Sequence, residues 1–327
     1  MWDEVLGHQQ NKEFLQKLLK PGSRPHALLF YGMGGIGKKM LALHFAKTFL
    51  CKSAAKKPCG ICESCRLMDI ENNSFAHPDF YLLTAEEAGK DIKIEQVKEM
   101  AKQAAFAPVL SEHKVCIIDD AGQMTAEAAN SLLKLLEEPP PGWLFILITQ
   151  QTERLLPTVL SRVVRLRFDA PDRQILKAKG ITQNTQVLAA LAGGSPGRAL
   201  SYNQADIFAI RREALDLLKK LPLQNPFGYI AALGWGEKYD RAAALLLTEQ
   251  FIYLLRDVLL VQSGAGGQVY NTDIMAGLDG IAADWPLHTA RQGVNAAQEA
   301  WQNINKNVSA KNVLEALVLK LDLLRKE

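Results

Sequence analysis

Two hydrophobic periods divide this chain. In its first half, short apolar runs stand between segments of helical spacing. The runs are Ala27-Leu28-Leu29-Phe30-Tyr31, residues 80–84, residues 115–120 with acids at the tip, residues 143–149 and residues 164–168. Runs this short and this apolar predict strands buried on both faces. Residues 10–19, 40–49, 94–104, 125–136 and 155–160 predict helices between them. Met40, Leu41, Leu43, Phe45, Ala46 and Phe49 recur at helical spacing, and Val97 and Ala101 are expected to face inward. In 125–136, Thr125 is placed as the N-cap, and Leu132, Leu133, Leu135 and Leu136 as the buried side. The run Glu137-Glu138-Pro139-Pro140-Pro141-Gly142 stops that helix. Strands alternating with helices predict an α/β fold, a parallel sheet of five strands with helices on both faces.

From about residue 205 the pattern is helical only. Ile207, Ile210, Ala214, Leu217 and Leu221 keep the spacing of one buried face. Further helices are predicted at about 225–235, 240–262, 287–305 and 309–325, with Ser263-Gly264-Ala265-Gly266-Gly267 as a flexible break. Asp169-Ala170-Pro171 marks a boundary. Residues 172–200 read as a small helical module around Gly194-Ser195-Pro196-Gly197-Arg198.

Composition narrows this picture modestly. A length of 327 residues suits two or three domains, and 48% apolar residues suit a chain with buried cores. A formal charge of +3 is too mild to announce independent nucleic-acid binding. Trp2-Asp3-Glu4 places acids where a signal peptide would carry basic residues. The apolar stretch 243–261 holds Glu249, Arg256 and Asp257, so no membrane span is expected. A cytoplasmic protein follows, where disulfides are disfavoured.

Chemistry concentrates around the first strand. Gly32-Met33-Gly34-Gly35-Ile36-Gly37-Lys38-Lys39 follows it and opens a helix. In strand–loop–helix context this is a phosphate loop: Gly32, Gly34, Gly35 and Gly37 let backbone N–H groups curl toward phosphate oxygens, and the helix N-terminus adds positive charge. Lys38 is placed to reach the β- and γ-phosphates. The next residue should be Ser or Thr, whose hydroxyl holds Mg²⁺. It is Lys39, whose ammonium has donors and no acceptor. ATP or ADP is therefore the expected ligand, with Mg²⁺ disfavoured. At the end of the third strand Asp119 takes the metal-carboxylate position. Asp120 takes the place of the acid that polarises water, one methylene shorter than the usual Glu. Thr149 or Gln150, at the tip of the fourth strand, is placed to sense a γ-phosphate.

Cys51, Cys59, Cys62 and Cys65 follow the loop's helix. The C-x2-C turns can set sulfurs on one tetrahedral ion, a closed structural Zn²⁺ site. Two disulfides, a redox pair and an iron–sulfur cluster are the alternatives. The metal would staple an insertion too small for a core of its own. Cys116 reads as core packing.

These residues together resemble bacterial clamp-loader subunits of the AAA+ class, which open sliding clamps at the replication fork. The resemblance covers the whole chain. It rests on Val5-Leu6-Gly7-His8, the phosphate loop, the four-cysteine insertion, the run from Met124 through Asn130-Ser131-Leu132-Leu133-Lys134 to Glu137-Glu138-Pro139, and Leu160-Ser161-Arg162. It implies an AAA+ core over 1–169 with a zinc insertion at about 51–65, a helical lid over 170–204, and a helical collar over 205–327. It further implies that Arg162 is an arginine finger given in trans to a neighbouring subunit's nucleotide site, and that Arg198 is the lid's second sensor arginine. Val163 stands where the family often has Cys. The implied partners are the other clamp-loader subunits (gamma/tau and delta types), the sliding clamp and primed DNA. With Lys39 and Asp120 as they are, the expected member is a stator with little or no ATPase of its own. An ATP-hydrolysing motor subunit is the first alternative. A zinc-dependent DNA-binding or redox protein on an AAA+ shell is the second.

Overall fold

The computed structural model describes all residues except 1, 3, 4, 6, 21, 23, 55, 87–89, 105, 170–183, 307 and 327. Parts of the expected boundary at 169–171 and of the module 172–200 lie outside the described residues. The chain divides into two compact units: Met1–Ile175 with Ser195–Gly197, and Leu176–Gly194 with Arg198–Glu327.

The first unit is built on a five-stranded parallel sheet. Its strands are β1 (Ala27–Tyr31), β4 (Phe80–Leu83), β5 (Lys114–Ile118), β6 (Trp143–Thr149) and β7 (Val164–Arg167), in the order β4-β5-β6-β1-β7. The central strands are apolar along nearly their whole length, with Lys114 and Thr149 at their ends, because both faces are covered. Alternate residues point to opposite sides. Leu28, Phe30, Val115, Ile117, Leu144 and Ile146 pack on one side with Leu41 and Phe45 of α2 (Lys38–Leu50). Leu29, Cys116, Ile118, Phe145 and Leu147 pack on the other with Val97 of α4 (Ile94–Ala104) and Leu132 of α5 (Ala126–Glu137). Each such fully buried side chain contributes roughly 1.5–3 kcal/mol.

Most predicted elements stand within a residue or two of their places. Thr125 caps α5 by accepting from Ala128 N at 3.2 Å. The differences have local causes. In α4 the buried positions are Val97, Met100 and Ala104, with Ala101 only half-buried. In α5 they are Ala128, Ala129, Leu132 and Leu136, while Leu133 and Leu135 flank the stripe. Strand β5 stops at Ile118, so Asp119 and Asp120 sit in the turn beyond it, with Asp120 in the left-handed region at φ 52°. The predicted helix 155–160 is a 3₁₀ turn, Thr152–Arg154, followed by α6 (Pro157–Leu160). Pro157 opens α6, a position where its missing N–H costs nothing.

The cysteine insertion continues past Cys65. Helix α3 (Glu63–Leu67) leads into a small antiparallel pair, β2 (Met68–Asp69) and β3 (Ser74–Phe75). A buried polar cluster fastens this insertion to the sheet. Ser64 Oγ donates to Leu50 O (2.7 Å), His77 Nε2 lies 2.7 Å from Ser64 Oγ, and His77 Nδ1 accepts from Asp79 N (3.0 Å). The Asp79 carboxylate, fully buried, accepts from Val109, Leu110 and Ser111 N, each at 2.7 Å. Burial raises its pKa, but the three donors outweigh that and hold it below the usual carboxylate range.

The described residues of the second unit form helices joined by loops, with no strand among them. The central helix, Arg241–Gln262, buries Leu247, Phe251, Leu254, Leu255 and Val258. Leu287–Asn305 packs along it, close enough at Gly293 that a Cβ there would lie 3.0 Å from Leu255 Cδ1. Ile207–Lys220, Pro226–Leu233 and Ala310–Leu324 complete the predicted set. The helix Met275–Asp284 was not legible: Gly277 and Gly280 lower its propensity, and tertiary packing of Leu278 and Ile281 holds it instead.

Asp79→Ala is expected to destabilise the protein by about 3 kcal/mol, because three buried N–H groups lose their acceptor. A urea midpoint unchanged from wild type would refute this.

Candidate functional site

Parallel strands bring their C-terminal ends to one edge, and the pocket lies there. The phosphate loop leaves β1 with Gly32 at φ 139°, Gly35 at φ 70° and Gly37 at φ 99°. Gly32 has no alternative: a Cβ there would lie 2.2 Å from Phe168 O. The opening segment braces the loop from behind, since His8 Nε2 donates to Ile36 O at 2.6 Å. Burial lowers the His8 pKa, and the bond to Ile36 partly offsets that.

The pocket encloses about 580 Å³. Gly34, Gly35, Gly37, Lys38, Lys39, Asp119, Asp120 and Thr149 all line it, so one cavity brings these predicted residues together. Lys38, 6% exposed, donates to Gly32 O and Met33 O, each at 2.6 Å. Its burial lowers the ammonium pKa, and Asp119 and Asp120 partly restore it. Lys39 Nζ sits 2.9 Å from Asp119 Oδ2. Where a hydroxyl and a carboxylate would share Mg²⁺, an ammonium and a carboxylate are paired directly. That donor set does not fit Mg²⁺: it supplies one oxygen ligand and one cation. Asp120 accepts from Gln123 Nε2 at 2.6 Å, and the Thr149 hydroxyl donates to Gln151 O at 3.0 Å.

The four sulfurs of Cys51, Cys59, Cys62 and Cys65 form one cluster, all within 4.8 Å of one another. Four sulfurs bound at about 2.3 Å to a tetrahedral ion would lie about 3.8 Å apart. Cys51–Cys62 and Cys59–Cys65 are each 3.9 Å apart, and none of the four is in a disulfide. The cluster can hold a metal ion. Backbone N–H groups of Cys59, Cys62 and Cys65 donate to the sulfurs of Cys51, Cys59 and Cys62 at 3.3–3.4 Å, which favours thiolates. Such donors bring the Cys59 thiol down to about 6, whereas burial pushes Cys65 up to about 12. Cys116 is fully buried and its pKa is raised by that burial alone, as core packing requires.

Arg162 stands at the other end of the sheet. It follows α6 and precedes β7, whose Val164 pairs with Leu28 of β1. From Leu28 to Gly32 is four residue steps, about 13 Å at about 3.3 Å each, and Arg162 lies two residues before Val164 on the side away from that loop. Its Nη2 pairs with Glu137 Oε1 at 2.8 Å, and its Nη1 donates to Thr158 O and Ser161 Oγ.

A family model described as "DNA polymerase III, delta subunit" matches residues 7–172. The chain is 30% identical to DNA polymerase III subunit delta-prime of Bacillus subtilis (strain 168) over 303 residues, 90% of each chain. It belongs to the delta-prime family of DNA polymerase III. It is also 30% identical to the gamma/tau subunit of Mycobacterium tuberculosis H37Rv, over 80% of this chain but 49% of that one. A solved gamma subunit-related protein from Thermotoga maritima shares the fold, with a TM-score of 0.54 at 18% identity, covering 97% of this chain and all of that one. As a delta-prime family member it is a clamp-loader subunit. No helix among its described residues is long and apolar enough to cross a membrane.

Several residues around these sites escaped the sequence reading of this family member. Ile70 and Asn73, from the turn between β2 and β3, line the phosphate-loop pocket. Asn72-Asn73 was a turn signal, and Asn73 takes the left-handed conformation (φ 52°) that Asn tolerates. Glu137 was read as part of a helix stop and of the run that carries the resemblance, yet it is also the ion-pair partner of Arg162. Arg198 belongs to the second unit, where it pairs with Glu249 and donates to the Tyr253 hydroxyl at 3.2 Å. Tyr202 donates its hydroxyl to the same Glu249. No local pattern could have linked these residues.

Proposed function

We propose that this chain is the stator of a clamp loader, a scaffold that gives Arg162 to the nucleotide site of a neighbouring subunit. One observation carries the reading: Arg162 and the chain's own phosphate loop occupy opposite ends of one parallel sheet. An arginine so placed cannot reach its own pocket, but it can stabilise charge on a phosphoryl group bound by an adjoining subunit. Glu137 holds the guanidinium at the surface, 34% exposed, where a neighbour can take it.

The chain's own pocket is suited to occupancy by ATP or ADP more than to hydrolysis. The Lys39–Asp119 pair occupies the metal carboxylate, and Asp120 is turned toward Gln123. On this reading residues 1–169 are the core, 170–204 the lid with Arg198, and 205–327 the collar. The partners are gamma/tau- and delta-type subunits, the sliding clamp and primed DNA, in the cytoplasm. The four-cysteine cluster is a structural Zn²⁺ site with no open position for chemistry. The intact Gly37-Lys38 end of the loop keeps a second reading, a motor subunit of the gamma/tau type, in view. Lys39 counts against it.

The isolated chain is expected to hydrolyse ATP at background rate. In the reconstituted complex, Arg162→Ala should lower turnover at the neighbouring site by roughly 10³-fold or more, with assembly unchanged by size-exclusion chromatography. Brisk hydrolysis by the isolated chain, or full turnover with Arg162→Ala, would overturn the reading. Elemental analysis should find one zinc per chain. Cys65→Ser should lose it and melt at a lower temperature, whereas a metal-free wild type of unchanged stability would exclude a structural zinc.

A further inference from the structure

We infer that the phosphate-loop pocket takes the polyphosphate of a nucleotide in metal-free form, with the Lys39 ammonium standing where a divalent cation would bridge the loop to Asp119. This deepens the reading of that pocket and does not rest on the role of Arg162.

Three observations carry it. The first is position. Lys39 follows the phosphate-loop lysine in the first turn of α2, and its Nζ reaches the carboxylate just beyond β5 at 2.9 Å. That closes, by a single ion pair, the link that a hydroxyl, a metal and a carboxylate would make between the same two elements. The second is donor arithmetic. An ammonium has three N–H groups. Asp119 takes one, leaving two for phosphate oxygens, and Lys38 stands next to it with one more, its other two resting on Gly32 O and Met33 O. Lys39 also neutralises Asp119, which would otherwise repel an incoming phosphate. The third is shape. The cavity of about 580 Å³ falls within the range of small-molecule sites, and Met40, Leu43 and Ile148 give it an apolar wall beside its cations. The ion pair itself is half-exposed, with Lys39 41% and Asp119 26% accessible. An exposed pair of this kind stabilises a fold only weakly, so its charges remain open to a ligand. A divalent cation entering beside Asp119 would meet a positive charge at contact distance and would have to displace it.

Calorimetric titration of the full chain with ATP, and separately with inorganic tripolyphosphate, tests this in EDTA and in millimolar Mg²⁺. ATP is expected to bind at least as tightly in EDTA as in Mg²⁺, and tripolyphosphate to bind in EDTA as well. Lys39→Thr restores the hydroxyl and bares Asp119, so it should reverse the order and bind ATP only with Mg²⁺. Lys39→Met removes the charge and adds no ligand. It should weaken metal-free ATP by about 10- to 100-fold, the worth of one charged hydrogen bond, and gain nothing from Mg²⁺. Wild-type binding that requires Mg²⁺, or no wild-type binding in either buffer, would overturn the inference. So would a Lys39→Met variant with wild-type affinity in EDTA and an unchanged melting temperature. None of these outcomes touches Arg162→Ala turnover in the assembled complex, so failure here and failure of the stator reading are told apart.

Discussion

Parallel pairing of five strands gives this molecule its polarity. Every strand's C-terminal end opens at one edge of the sheet, so the phosphate loop after β1, the acids after β5 and Thr149 at the tip of β6 converge there. Every connection must then return to the opposite edge before the next strand begins. Arg162, met just before β7, lies on that return side. The separation of a pocket from a surface arginine is thus a consequence of strand direction. It requires no special loop.

Within the pocket one ion pair decides the chemistry. A lysine in place of a hydroxyl amino acid could have pointed to solvent and left Asp119 to a metal. Its ammonium instead rests on the Asp119 carboxylate. The pocket keeps its size, its glycines and its buried Lys38, and it changes the kind of cation that faces a phosphate. On the proposed stator reading, such a cavity would hold a nucleotide without turning it over.

The four-cysteine insertion is joined to this core at two levels. Ser64, His77 and Asp79 connect it by hydrogen bonds to the end of α2 and to the segment at Val109–Ser111. The turn between β2 and β3 reaches further and contributes Ile70 and Asn73 to the pocket wall. The sulfur cluster therefore fixes a segment that itself borders the phosphate loop.

The chain's local patterns were enough for the strand–helix alternation, the phosphate loop, the cysteine cluster and the helical second half. Each of those depends on side chains close in sequence: an apolar run, a glycine spacing, two C-x2-C turns. Lys39 could be recognised as a poor metal ligand for the same reason, since an ammonium lacks an acceptor wherever it sits. What it does instead could not be read, because Asp119 follows another strand and only the β1–β6–β5 order brings the two together. The partners of Arg162 and Arg198, Glu137 and Glu249, were hidden likewise. Long-range pairing of charges carries no periodic signal, so it was decided by tertiary structure alone.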